Sequence, residues 1–170
     1  MACLQPNRAP AGPIYHRQID NQNRRPAASS EVLTEIYVPM HALPSCMTKV
    51  KEQTKSNRAN IFYRTVRFIQ NDNESFLAWA KEAYACVIFN LHVEHTAHNI
   101  AAAANALRGL IDLAIADGGS YYLTYHRFAD KHQLLSCYPQ FPKLLSEKLR
   151  LDPREIFSSD WYCHYKRMFS

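Results

Sequence analysis

Residues 85–93, A-C-V-I-F-N-L-H-V, lead through 94–119, E-H-T-A-H-N-I-A-A-A-A-N-A-L-R-G-L-I-D-L-A-I-A-D-G-G, into 120–126, S-Y-Y-L-T-Y-H. The outer pieces are β-branched and aromatic and alternate every second residue, so they read as strands. The middle piece changes period. Ile100, Ala104, Leu107, Ile111 and Ile115 recur at three and four residues, one side of a helix. Thr96 supplies an N-cap, and Gly118-Gly119 supplies the C-terminal stop. The unit is therefore strand, long helix, strand.

Working outward, the same grammar repeats. Val32–Val38 (V-L-T-E-I-Y-V) reads as a strand that Pro39 ends. Residues 40–56 read as a helix, with Met40, Leu43, Met47 and Val50 along one side and Pro44 in its first turn. Ile61–Ile69 (I-F-Y-R-T-V-R-F-I) reads as a strand, and residues 73–81 as a short helical connection. Beyond the opening unit, Asp130 starts a helical stretch interrupted at Pro139 and restarted near Pro142. Asp152-Pro153 is a turn, and the aromatic tail of Phe157, Trp161, Tyr162, Tyr165 and Phe169 is expected to dock back. The order β-α-β-β-α-β predicts an α+β fold. It is a ferredoxin-like, four-stranded antiparallel sheet with helices on one face and a C-terminal helix added.

Alternation sorts each strand into two faces. Val87, Phe89 and Leu91 share one with Thr34, Ile36 and Val38, and this apolar face is expected to take the helices. The other face collects Glu35, Tyr37, Tyr63, Thr65, Arg67, Asn90, His92, Glu94, Tyr122, Thr124 and His126. A merely solvated face is usually rich in Lys, Glu and Thr. Tyr, His and Asn suit a ligand or a second domain.

Composition narrows the function. The chain has 170 residues and a formal charge of +5. Residues 1–30 hold four arginines against one aspartate, a net +3, which leaves only +2 for residues 31–170. The first 30 residues are rich in Pro, Asn, Arg and Gln and read as an irregular segment, with Ile14-Tyr15 a short strand at most. Residues 31–170 form the globular domain, which is not a strongly basic nucleic-acid surface. With only four glycines, no G-x-G-x-x-G and no Walker-type loop occurs, so no standard phosphate cradle is present. Five scattered cysteines without C-x-x-C, no signal-peptide pattern, and no uninterrupted apolar run near ~18 residues predict a cytoplasmic protein with reduced thiols and no membrane span. His92, His95 and His98 form H-x-x-H-x-x-H. The first belongs to a strand and the last to a helix start, so no shared metal site is expected.

Three stretches carry a resemblance. They are G-S-Y-Y-L-T-Y-H-R-F-A (119–129), C-Y-P-Q-F-P-K-L-L (137–145) and L-D-P-R-E-I-F-S-S-D-W-Y (151–162). Together with T-V-R-F-I-Q-N-D-N-E-S-F-L-A-W (65–79), they resemble the C-terminal part of vanillyl-alcohol-oxidase-type FAD-linked oxidoreductases, near the aldonolactone and alditol oxidases. The resemblance covers about residues 31–169, and D-P-x-x-x-F-x-S-D is its most specific piece. It implies a cap domain that covers the reactive face of FAD. Hydride would pass there from an alcohol or lactone-like substrate to the flavin.

The FAD-binding half of such enzymes has no counterpart in these residues. The resemblance therefore implies a truncated or split product, with FAD held mainly by a domain supplied in cis or in trans. It implies that Arg67 lies near the flavin or the substrate, where a fixed guanidinium stabilises negative charge. It places His126 as the group taking the substrate hydroxyl proton. Tyr63, Asn90, His92, Tyr122 and Thr124 follow as substrate-binding groups. The competing readings are an RNA-binding sheet with exposed tyrosines, which lacks the glycine of an RNP1 signature, and an inactive remnant.

Overall fold

The computed structural model describes residues 28–56 and 61–170, without the side chains of Phe62 and Tyr63. Four strands form one antiparallel sheet: β1 (Ser29–Pro39), β2 (Ile61–Ile69), β3 (Tyr84–Glu94) and β4 (Ser120–Tyr121). Their spatial order is β2-β3-β1-β4. Five α-helices accompany them among the described residues: α1 (Leu43–Ser56), α2 (Ala97–Ala116), α3 (Lys131–Cys137), α4 (Phe141–Leu151) and α5 (Asp160–Phe169). The α+β, split-βαβ arrangement is the one the alternation predicts. Ile14 and Tyr15 lie outside the described residues.

β1 and β3 form the centre, paired from Ser29↔Glu94 to Pro39↔Tyr84. This register puts Ile36, Val38, Val87, Phe89 and Leu91 on one face, where α1 and α2 bury them. α2 has the length and apolar composition to cross a membrane. Here Ala103, Leu107, Leu110, Ile111 and Ala114 are buried in the core beneath it. Its apolar length is interrupted by His98-Asn99, Asn105, Arg108 and Asp112, which is why a search for unbroken runs misses it.

α2 begins as expected, with the Thr96 side chain accepting from the Asn99 N–H. It ends in a Schellman motif: Gly119 N–H donates to Ala114 C=O at 2.7 Å and Gly118 N–H to Ile115 C=O at 3.0 Å. Gly118 has φ +78°, which costs glycine nothing. Gly119 is required for a second reason. A Cβ there would stand 1.8 Å from the Tyr37 carbonyl oxygen, so only glycine lets this turn approach β1.

The tail docks on the same core. Phe141, Trp161, Tyr165 and Phe169 pack with ring centroids 4.9–5.8 Å apart. Ser159 caps α5 through the Tyr162 N–H. Asp152 accepts from the N–H groups of Ile156 and Phe157 and pairs with Lys148, which fixes the turn before α5.

Two elements differ from expectation. Residues 73–81 form turns and bends and no helix. Asp72 opens the segment with the geometry of an N-cap, its carboxylate taking the N–H groups of Glu74 (3.1 Å) and Ser75 (2.9 Å), but its own N–H donates to the Ala80 C=O at 2.8 Å, which closes the segment as a loop. The fourth strand spans Ser120–Tyr121 and not 120–126. After Tyr122, whose N–H still donates to Glu35 C=O, the backbone finds other partners. Leu123 C=O accepts from Trp161 Nε1, and Phe128 C=O accepts from Arg108 Nε. Docking of the tail thus takes a carbonyl that a longer ladder would have used.

Candidate functional site

The sheet face away from α1 and α2 carries a second, smaller cluster. Tyr37, Ala80, Tyr84, Cys86 and Ile88 are buried there, with Ile69, Trp79 and Tyr122 packed against them. The 70–83 connection makes this cluster by folding over one end of the face. Trp79 lies 5.0 Å from Tyr37 between ring centroids, and its carbonyl accepts from Ser120 Oγ at 2.7 Å.

At the border of that cover stands Glu35. Its Oε2 accepts from the Tyr37 hydroxyl at 2.8 Å and from the Cys86 thiol at 3.4 Å. Its Oε1 accepts from the Tyr125 hydroxyl at 3.2 Å. Tyr37 and Cys86 are 1% and 2% exposed, whereas Tyr125 is 45% exposed. Tyr125 in turn meets Tyr122 edge-on at 4.7 Å.

The electrostatics follow from this geometry. Burial, then the Glu35 carboxylate, pushes the Cys86 thiol up to about 12, so it is a proton donor and not a nucleophile. The same causes raise Tyr37 and, more weakly, Tyr125. Arg67 opposes Cys86 across the β2–β3 pair. It is exposed and makes no hydrogen bond or ion pair with another described residue, while its charge is felt at both Cys86 and Tyr125.

The predicted site residues divide. Arg67 and Tyr122 lie on the Glu35 face, Arg67 opposite Cys86 and Tyr122 against Tyr125. Asn90 and His92 lie further along the same face, nearer the start of β1, where Asn90 Nδ2 donates to Glu31 Oε2 at 2.9 Å. Asn90 Oδ1 and both ring nitrogens of His92 are enclosed without a partner among the described residues. Tyr63 is opposite Asn90 in register, with its side chain outside the described residues. Thr124 is exposed in the turn after β4.

His126 is on the other side of the sheet. It is 6% exposed and meets the buried Thr34 hydroxyl at 3.0 Å in the helix-covered core. Burial lowers its imidazole to about 4. The reason is the turn at Leu123–Thr124. It breaks the two-residue alternation, so Tyr125 arrives on the face that Thr124 and His126 were expected to occupy. The carboxylate at the centre of the site could have been found from sequence, since Glu35 shares the polar face with Arg67. Cys86 was also accessible, two residues before Ile88 on the same face. Tyr125 was not, because no local pattern announces the turn.

Among the described residues no three His, Cys, Asp or Glu side chains gather to hold a metal. His92 is on β3, His95 bonds Ser30 at 2.7 Å, and His98 begins α2. Compared with protein-family models and with curated proteins, the chain matches none.

Proposed function

We propose that this chain is the substrate-covering domain of a FAD-dependent oxidoreductase that oxidises an alcohol or lactone-like substrate. The observation that carries the reading is the Glu35–Arg67 face. A carboxylate gathered by three donors and an exposed guanidinium lie on one wall of an antiparallel sheet, at the edge of an aromatic cover. The sequence resemblance at 65–79 and 119–162 supports the same assignment.

The residues present fit a flavin. An exposed Arg67 with no partner among the described residues suits the electron-rich edge of a reduced ring, and Tyr122 with Tyr125 offers apolar surface on the same face. FAD, when bound, supplies the hydride acceptor; it would be held mainly by a flavin-binding domain in cis or in trans. The remaining work belongs to this chain. Arg67 orients a carbonyl or hydroxyl oxygen by donating to it. Glu35 accepts from hydroxyl groups. Tyr122, Tyr125 and Trp79 exclude water from one end of the face.

The test is direct. The native protein is isolated from cells with an antibody against this chain, and its absorption spectrum and mass are recorded. Flavin bands in the captured material are expected. A captured protein with no flavin, which also acquires none when FAD and its co-purifying partners are supplied, overturns the assignment.

A further inference from the structure

The two oxygens of Glu35 are held unequally. Oε2 is gripped by Tyr37 and Cys86, both buried, and cannot be released without opening the core cluster. Among the described residues Oε1 is held by Tyr125 alone, through the longer of the two hydroxyl bonds, at 3.2 Å against 2.8 Å. Tyr125 is 45% exposed and sits in an irregular segment after β4, outside any ladder. One oxygen therefore fixes the carboxylate in place while the other has an exchangeable partner.

We infer that Glu35 Oε1 is the anchor for a substrate hydroxyl, and that Tyr125 is the cover this hydroxyl displaces. The inference rests on the reading above only for its ligand class, a molecule with hydroxyl groups. Glu35 is a specificity-determining residue in this scheme. It accepts one hydrogen bond from the ligand and has no capacity to donate while ionised, so it selects a hydroxyl over a carbonyl at that point. Tyr125 holds the site in the absence of ligand. It keeps the carboxylate satisfied and oriented, at the cost of competing for the same oxygen.

Xylitol serves as the probe, with tyrosine rings carbon-13 labelled and followed by NMR. Xylitol is expected to shift the Tyr125 and Tyr122 ring signals of the wild-type chain in a saturable manner. In Glu35→Gln the Tyr37 and Cys86 donors hold the amide oxygen and turn the NH2 group toward the ligand, so a charge-assisted acceptor is exchanged for a neutral donor and xylitol binding is expected to weaken about tenfold. In Tyr125→Phe the carboxylate is intact and its competitor gone, so xylitol should bind about fivefold more tightly, read at Tyr122. No shift in the wild type, an unchanged titration in Glu35→Gln, or equal or weaker binding in Tyr125→Phe overturns the inference. If Glu35→Gln does not fold, the wild-type and Tyr125→Phe titrations decide. No flavin enters this experiment, so its failure leaves the cofactor assignment untouched, and a protein without flavin leaves the titration standing.

Discussion

His126 Nε2 and Thr34 Oγ1 meet at 3.0 Å inside the core, both side chains cut off from solvent. The Phe128 N–H donates to the other ring nitrogen at 3.4 Å, so Nδ1 carries no proton and Nε2 donates to the threonine. The ring also stacks on Phe128 at 5.5 Å. This histidine is locked neutral. Its folded value, about 4, is below the ordinary 6.5, so the unfolded chain binds the extra proton first as pH falls. The stability it contributes is complete above pH 6.5 and is lost progressively toward pH 4. The loss expected is about 3 kcal/mol. Urea unfolding at a series of pH values measures it. A His126→Gln variant, which keeps a donor toward Thr34, should show a flatter profile over that interval. Equal slopes for the two proteins would rule out His126 as the source.

The glycines rank by what surrounds them. Alanine at Gly119 drives its Cβ into the Tyr37 carbonyl, a backbone group in a central strand that cannot move aside. Gly119→Ala should cost about 3 kcal/mol or more, as overpacking against a rigid neighbour does. Gly118→Ala meets nothing within 4 Å but must hold φ +78°, a cost of about 1 kcal/mol. Gly109→Ala meets only the end of the flexible Gln53 side chain, which can swing away, and should be the mildest. Thermal unfolding of the three variants gives the order, and a Gly119 variant as stable as the Gly109 variant would contradict it.

These two cases also explain what could be read without the structure. The Gly118-Gly119 stop, the Thr96 cap and the central strands are local, encoded by residues adjacent in sequence. The two failures have distant or competing causes. β4 ends early where Trp161, far from it in sequence, takes the Leu123 carbonyl. Residues 73–81 are a loop because the Asp72 N–H reaches the Ala80 C=O, eight residues on, a closure that no local pattern announces. The site inherits the first failure. Arg67 and Tyr122 sit on regular β2 and directly after β4, so alternation located them correctly. His126 and Tyr125 exchange faces because they follow the unannounced turn.

The cysteines test the burial pattern independently of any activity. Cys46, Cys86 and Cys137 are buried, and burial raises all three thiols, with Cys86 and Cys137 reaching about 12. Cys163 is partly exposed on α5. Thiolate is the reactive form, so iodoacetamide at mildly alkaline pH should label Cys163 well before the other three. Peptide mapping by mass spectrometry reads the order. Labelling of Cys86 as fast as Cys163 in the folded protein would mean that the Tyr37–Trp79 cover opens freely.

Arg67 separates function from fold. It is exposed on the edge strand β2 and bonds no other described residue, so its removal should leave stability within about 0.5 kcal/mol. If it stabilises charge that develops only as the substrate is oxidised, the loss appears in kcat and not in the melting curve. Arg67→Ala in the flavin-loaded protein should lower kcat about a hundredfold, the scale of removing one preorganised charged donor. Arg67→Lys keeps the charge but not the planar fork, and should recover only part of the rate. Steady-state oxidation by the three proteins, beside their unfolding curves, checks both halves. A normal kcat in Arg67→Ala would remove this residue from the reaction, and a large drop in stability would show that its role is in packing.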